Sequence, residues 1–537
     1  MENDIQKQLP ADVFDEITIA EQQHVLSYFL DGDYSKEDVE FFVKQCRSFD
    51  LIRARNLYTN SILHNRIISR VYSEMKESPE TFTELKDLSD DIRQKYRDTG
   101  LGVLADGKIA LVLLTGGQAS RLQISKVKGN ADFGLPSHST LFKRIFYHIR
   151  HIQDEVKAFA GKDVQLPIYT LKTISILPFP LLYSLIVLFL DNRYYGLDKN
   201  QITFFHQGSF PCVDSNGDFV MREKHRIALS PDGSGGLFLA LHRNHIIDEW
   251  VRKGISRIHV FGIDNACELP GDPVFLGYSV IHQTDVCLKC VEKCCPEERL
   301  SVLAQYAERP LLAIHSEMNY RQIIHRDEDG ELVFRYGFIF DSIFTLDFIS
   351  QQCRESSLPL YCHVVKKAIP YYDSILNRTI KPITPNAYKM EYYLSDVFPN
   401  ATNLKALVVS RDEFAPLKNP TGKPIASPEK VVEHVTNQHL RFLLRAGAIL
   451  EGVTEEDTGQ VEISPLVSAH GEGLEPFSGV QVKLPCCVLD ESEVDLRMIK
   501  SEPINERLHL LNDRNGDYYQ YVLLRVSLLF HVSLQTS

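Results

Sequence analysis

The sequence predicts an α/β fold: a Rossmann-like central domain on a mostly parallel mixed sheet, with a helical region before it and a small β-rich domain after it. Three observations carry this. At 537 residues the chain exceeds what one hydrophobic core usually serves, so it should divide. Beyond residue 104, short apolar runs alternate with amphipathic stretches, the texture of parallel strands joined by crossover helices. Beyond residue 410 that texture gives way to short strands broken by Gly, Pro and Ser. The expected units are 1–104, 105–410 and 411–537.

In order along the chain, VFDEITIAEQQHVLSYFL and KEDVEFFVKQC space their apolar residues three and four apart. LKDLSDDIRQKYRDTGL continues the pattern, so residues 13 to about 100 read as helices. IALVLL (109–114) is a buried strand, followed by the glycine-containing loop TGGQASRL. TLFKRIFYHIRHI puts Leu141, Ile145, Ile149 and Ile152 on one helical stripe. LPIYTL, QITFFHQ and RIHVFGIDN are further strands, and GGLFLALHRNHIIDEWVRKGI reads as one amphipathic helix between the last two. EISPLVSAHGEGLEPFSGVQVKLPCCVLDES supplies short strands to the last unit. Ligands of such sheets bind where the strands end, so the residues just after each strand are the ones to examine.

Composition narrows the function. The net charge is -13 and no long basic stretch occurs, which argues against nucleic acid, whose backbone is held by clustered Lys and Arg. A few local cations are still enough to hold a small anion. The polar N-terminal segment MENDIQKQLPADVFDE reads as neither signal nor transit peptide, and the 11 scattered cysteines fit reduced thiols, so a cytoplasmic protein is expected. Ile174–Leu190 carries no charge, at the lower limit of length for a membrane span. Its two early prolines and missing Lys/Arg flanks favour a buried helix or strand, and no membrane partner is expected. Cys287, Cys290, Cys294 and Cys295 crowd together instead of forming the two separated pairs usual in a structural zinc site, so no zinc is expected.

The chemistry sits in Leu114-Thr-Gly-Gly-Gln-Ala-Ser-Arg-Leu122 and Lys126-Val-Lys-Gly-Asn-Ala-Asp-Phe-Gly-Leu-Pro-Ser137. Glycines directly after a buried strand let backbone N–H groups approach and cradle phosphate oxygens. Arg121 and Lys128 add positive charge where a polyphosphate would lie. The loop is neither a Walker loop nor GxGxxG, and its spacing alone equally fits a plain strand–turn–helix connection.

These blocks resemble the signature of the eukaryotic UDP-N-acetylhexosamine pyrophosphorylases, LxGGQGTRLG followed by PKGMYDVGLPSxKTLF. Further blocks match in order: FFHQG (204–208), SPDGSGGLFLAL (230–241), HVFGIDN (259–265), DPVFLGY (272–278), KKAIPYYD (366–373), RDEFAPLKN (411–419) and EISPLVSAHGEGLE (462–475). The resemblance spans roughly residues 15 to 490 and implies a nucleotidyltransferase (GT-A-like) central domain. It further implies that Leu114, Thr115, Gly116 and Gly117 hold the uracil and ribose side of UTP, and that Gln207 and Gly233 contact the uracil. Arg121 and Lys128 would neutralise the phosphates, with Lys418 and one of Lys366 and Lys367 beside them. Asp264 would carry Mg²⁺ or Mn²⁺; a lone carboxylate completed by phosphate oxygens and water is how Mg²⁺ usually binds.

The chain departs from that pattern where it matters. Ala119 and Ser120 replace Gly and Thr, and Val127 replaces a proline. Ser234 stands where the family has an Asn that helps hold the sugar. Ile314 and His315 replace a Glu and a Tyr of the sugar pocket, and Arg335, Tyr336, Phe338 and Phe340 replace small or amide side chains. The implied reaction is attack by an ionised sugar 1-phosphate oxygen on the α-phosphorus of UTP, releasing pyrophosphate; N-acetylglucosamine 1-phosphate is the leading acceptor. The alternatives are a uridylyltransferase for glucose or another sugar 1-phosphate, and a degenerate relative that binds without turnover.

Overall fold

A computed structural model describes residues 8–30, 32–116, 127–172, 180–354, 357–451, 460–494, 503–515 and 518–524. Gly117, Ala119, Ser120 and Arg121 lie outside the described residues, as does 174–179 of the apolar segment.

The helical region comprises α1 (Ala11–Ile19), α2 (Lys36–Cys46), α3 (Leu51–Glu74) and α4 (Asp90–Ala105). Ser35 and Asp50 start α2 and α3 by accepting N–H groups of the first turn, as N-caps do. A short strand, β1 (Phe82–Glu84), joins the edge of the central sheet from within this region. That sheet has ten strands, including β2 (Ile109–Leu114), β3 (Ile168–Lys172), β4 (Ile202–His206), β5 (Arg257–Gly262), β6 (Val286–Glu292), β7 (Tyr336–Thr345) and, further along, β8 (Leu404–Val409). The spatial order is β1-β8-β6-β7-β5-β2-β3-β4, and along it only β7 runs antiparallel to its neighbours.

All six residues of β2 are buried, as a parallel strand covered on both faces requires. Ala110, Val112 and Leu114 enter one core with Val13, Phe42, Leu57 and Trp250; Ile109, Leu111 and Leu113 enter the other with Leu104, Ile145 and Phe275. The period of two thus sends one strand into both layers. The second layer includes α5 (Leu141–Ala160), capped by Thr140 and ended by Gly161 in the left-handed conformation. It also includes α6 (Pro180–Asp191), whose buried Phe189 meets Phe142 and Phe146 edge-on. Part of the apolar segment therefore packs on α5. Among the described residues no helix is long and apolar enough to cross a membrane.

The stretch read as one amphipathic helix forms two, α7 (Gly236–Arg243) and α8 (Ile246–Lys253), because His245 takes φ +55 between them. Helical periodicity survives the break, which is why sequence pattern alone missed it. After β8, the 18-residue α9 (Pro428–Arg445) precedes a four-stranded sheet. Phe442 and Leu443 at the end of α9 enter the core of that sheet with Ile463, Val488 and Tyr521.

β7 is not a regular strand. Leu288 pairs with Ser342 and Cys290 with Phe338, so Lys289 alone faces Ile339, Phe340 and Asp341. Phe340 takes φ +68, a left-handed conformation that costs a bulky side chain energy. Bulges of this kind re-aim side chains, often beside active sites.

Candidate active site

A cavity of about 380 Å³ opens at the carboxyl edge of the sheet. Its walls follow the strands in spatial order: Gln207 after β4, Leu171 in β3, Leu114 to Gly116 at the end of β2, Gly262 to Asn265 at the end of β5, and Ile339 and Phe340 in β7. Phe414 and Lys418 come from the loop after β8, and Pro231, Gly233 and Ser234 from the loop before α7.

At the β4 end, the Gln207 side-chain amide donates to the Gly233 carbonyl, and its backbone N–H donates to the Lys172 carbonyl at 2.9 Å. Gly233 has φ +87, and a Cβ there would lie 2.2 Å from the Tyr392 carbonyl oxygen. Only glycine allows this close passage of two backbones. Beside it, the Ser234 hydroxyl accepts the Leu394 N–H at 3.0 Å. The Thr115 hydroxyl donates to the Leu171 carbonyl at 2.8 Å, which ties the ends of β2 and β3 together, and Gly116 follows at φ +68.

In the middle, the Lys128 ammonium meets the Asp264 carboxylate. The Asp264 carbonyl accepts the Leu417 N–H at 2.8 Å, which brings Lys418 next to it in sequence and space. Asn265 completes this clamp: its amide oxygen accepts the Ala415 N–H at 2.9 Å and its amide nitrogen donates to the Glu413 carbonyl at 2.8 Å. The two loops that carry Asp264 and Lys418 are thus held as one unit.

Below them lies a buried charge network. The Lys289 ammonium is 2.8 Å from Asp272, 3.4 Å from Asp341 and 3.3 Å from Glu413. Burial alone would strip its proton, but these carboxylates outweigh burial and hold the ammonium well above its usual range. Burial pushes the nearby Glu268 carboxyl well up, toward its neutral form. His259, Glu268 and Asp341 lie close enough to share a metal ion, but they are fully buried. Lys289 already supplies the cation there.

Of the sequence-predicted residues, Leu114, Thr115, Gly116, Gln207, Gly233, Ser234, Asp264 and Lys418 line the cavity, and Lys128 reaches Asp264. Gly117 and Arg121 are outside the described residues. The other predicted residues sit elsewhere. Ile314 donates its N–H to the Tyr72 hydroxyl at 3.0 Å, and the His315 ring lies 3.3 Å from the Pro296 carbonyl. Arg335 lies 3.9 Å from Glu84 and over the Tyr336 ring, and Phe338 is core. Lys366 and Lys367 are exposed, with the Lys366 ammonium over the Tyr388 ring. The strand pairing shows why. Strand β9 (His363–Lys367), counted apart from the sheet above, pairs with β10 (Ala387–Glu391), and β10 brings Lys389 and Glu391 to the cavity instead. Lys389 escaped the sequence reading because nothing local marks it; the one signal was the alternation of charged residues in AYKME. Cys287 and Cys290 are buried in β6, whereas Cys294 is exposed in the turn that follows.

Residues 55–422 match a family described as UTP–glucose-1-phosphate uridylyltransferase. The chain is 33% identical over 416 residues to the Homo sapiens UDP-N-acetylhexosamine pyrophosphorylase-like protein 1, covering 75% of this chain and 81% of that one. It is 33% identical over 389 residues to the Saccharomyces cerevisiae UDP-N-acetylglucosamine pyrophosphorylase, covering 72% and 79%. The crystal structure of a Trypanosoma brucei uridine diphosphate N-acetylglucosamine pyrophosphorylase with an inhibitor superposes with a TM-score of 0.74 at 24% identity, over 86% of this chain and 93% of that one, and shares the fold. The chain therefore belongs to the UTP–glucose-1-phosphate uridylyltransferase family, nucleotidyltransferases that form a UDP-sugar and pyrophosphate from UTP and a sugar 1-phosphate.

Proposed function

We propose that this chain transfers the uridylyl group of UTP to a sugar 1-phosphate and releases pyrophosphate. The observation that carries this reading is the Lys128–Asp264 pair beside Lys418, set between a base-reading end and an apolar end of one cavity. Gln207 and the Gly233 backbone present an amide and a carbonyl at one end, suited to the edge of a uracil. Leu114, Thr115 and Gly116 hold the ribose side. Lys128, Lys418 and Lys389 neutralise phosphate oxygens, with Arg121 assigned to the same task on the resemblance alone. An ionised sugar phosphate needs no general base, so positioning and charge neutralisation supply the rate.

Asp264 fits a divalent cation: its carboxylate faces the cavity, is partly exposed, and leaves room for phosphate oxygens to complete the shell. Mg²⁺ bound there would offset charge developing between the α- and β-phosphates. The free cysteines support a reducing compartment, and we place the activity in the cytoplasm.

Two acceptors compete. N-acetylglucosamine 1-phosphate is the sugar of the relatives' names. Glucose 1-phosphate is the sugar of the family description, and the apolar side chains of Ile339, Phe340 and Phe414 favour it, because they have no polar group to offer an acetamido group. The test is pyrophosphate release from UTP and Mg²⁺ with a panel of sugar 1-phosphates. Release with at least one is expected. UTP binding without release from any would establish a chain that binds and does not turn over.

A further inference from the structure

The cavity has a direction. Gln207 and Gly233 lie at the β4 end, Asp264 and Lys128 in the middle, and Phe340 at the β7 end. An in-line displacement needs the acceptor across the α-phosphorus from the leaving group, and the nucleoside already occupies the β4 end. The sugar is left with the β7 end. There the walls are Ile339, Phe340 and Phe414, and the cation is Lys418, whose ammonium lies 6.0 Å from the Phe414 ring centre.

Phe340 stands there for a structural reason. Ile339 and Phe340 both border the cavity from the bulged stretch of β7, Ile339 rooted in the core that holds Leu113 and Phe414, Phe340 packed against the opposite one. The ring is braced from two sides. It lies against the Gly262 backbone, where an added Cβ would come within 3.0 Å of its Cδ1, and its centre is 6.0 Å from that of Phe338. The next residue, Asp341, is fixed by Lys289 at 3.4 Å and by the His259 ring at 2.5 Å. A bulky residue at φ +68 persists only where its surroundings over-determine it, and such strain clusters at functional sites.

Resting on the uridylyltransfer reading, we infer that Phe340 is the specificity-determining residue of the acceptor end, and that it selects a hexose 1-phosphate with a free 2-hydroxyl over one carrying a 2-acetamido group. The flat ring takes the C–H face of a pyranose. An acetamido group pressed on the same wall would lose water from its N–H and C=O without gaining partners, the costly way to bury polar groups. A hydroxyl is smaller and can turn outward.

The experiment measures kcat/KM for glucose 1-phosphate and N-acetylglucosamine 1-phosphate with the wild-type chain, Phe340→Ala and Phe340→Leu. It also measures binding of both sugar phosphates by calorimetry. We expect a preference of at least about tenfold for the hexose in the wild type. Phe340→Ala should bring that ratio toward one through the sugar KM, with the UTP KM within about twofold of wild type. Phe340→Leu, which keeps bulk without the ring, should lie between and guards against a folding defect in Phe340→Ala. A wild-type preference for the acetamido sugar, or a ratio unmoved in both variants, overturns the inference. Pyrophosphate release with neither sugar overturns the uridylyltransfer reading instead. The calorimetric ratio then still judges the wall.

Discussion

At the Gln207 end of the cavity the walls are strand termini and glycine backbone, whereas at the Phe340 end they are rings. Leu114, Leu171 and Gln207 end three parallel strands, and the loop at Gly233 passes so close to Tyr392 that no side chain fits. Phe340 comes from a strand that runs antiparallel to its neighbours, at a bulge held by a buried lysine. Backbone recognition survives most changes of side chain, because what it presents is the same amide whatever the neighbours are. A wall of side chains can be rebuilt one residue at a time. The difference explains how a chain can keep its nucleotide end and alter its acceptor end.

The largest effect should come from beneath the acceptor end. Lys289→Met leaves Asp272, Asp341 and Glu413 buried without their cation, and breaking a buried pair this way typically costs about 3–5 kcal/mol. Thermal unfolding should show that loss. If the comparison holds, whatever folds should lose acceptor selectivity before UTP affinity, because the lysine braces Asp341 next to Phe340 and Glu413 next to Phe414, both at the acceptor end. Equal loss at both ends would mean the bulge and the nucleotide end are one rigid unit.

Lys128→Ala probes the middle, where the two ends share a charge. It should lower kcat by about 10²–10³-fold, the size of removing one donor from a preorganised charge site. Stability should change little, since the partner Asp264 is partly exposed and can be solvated. A rate within about twofold of wild type, read as pyrophosphate release, would remove Lys128 from the phosphate site.

Gly233→Ala acts on the nucleotide end alone. The φ of +87 and the 2.2 Å approach to the Tyr392 carbonyl force a shift worth about 1–3 kcal/mol. The UTP KM should rise roughly tenfold. The ratio between the two sugars should stay where it was, and a changed ratio would contradict the separation of the two ends.

What could be read from the sequence divides along the same line. The strand ends at Leu114, Gln207 and Asp264 stand directly after apolar runs, so their place at the sheet edge follows from local pattern. Lys389 and Glu391 could not be found that way. They reach the cavity because β10 pairs with β9 and passes beside Gly233, a long-range arrangement that no window of sequence contains. The bulge at Phe340 was equally hidden, since YGFIFDSIF reads as an ordinary apolar strand. Ile314, His315, Arg335 and Phe338 were singled out by the resemblance as sugar-pocket positions, yet the side chains of His315, Arg335 and Phe338 meet Pro296, Glu84 and the core, and the Ile314 N–H donates to Tyr72.

The smallest effect tests whether the nucleotide end depends on its roof. His363 begins β9, opposite Glu391 of β10, and its ring stacks on Tyr393 at 3.8 Å. Its Nε2 is 2.8 Å from Asp396 and its Nδ1 is 3.6 Å from Glu317, which also accepts the Tyr72 hydroxyl of α3 at 3.0 Å. Burial lowers the affinity of this ring for a proton, but Asp396 and Glu317 outweigh burial and hold its pKa at about 9. A histidine raised above its ordinary value contributes fully below about pH 6.5. That contribution is lost as pH rises through the folded value, so stability should fall between about pH 6.5 and 9. The melting temperature should drop by a few degrees across that window, and His363→Gln should flatten the dependence. Because β10 carries Lys389 and Glu391, the UTP KM should rise over the same window while the sugar KM stays level. A parallel rise of both would show that the roof closes the whole cavity and not the nucleotide end alone.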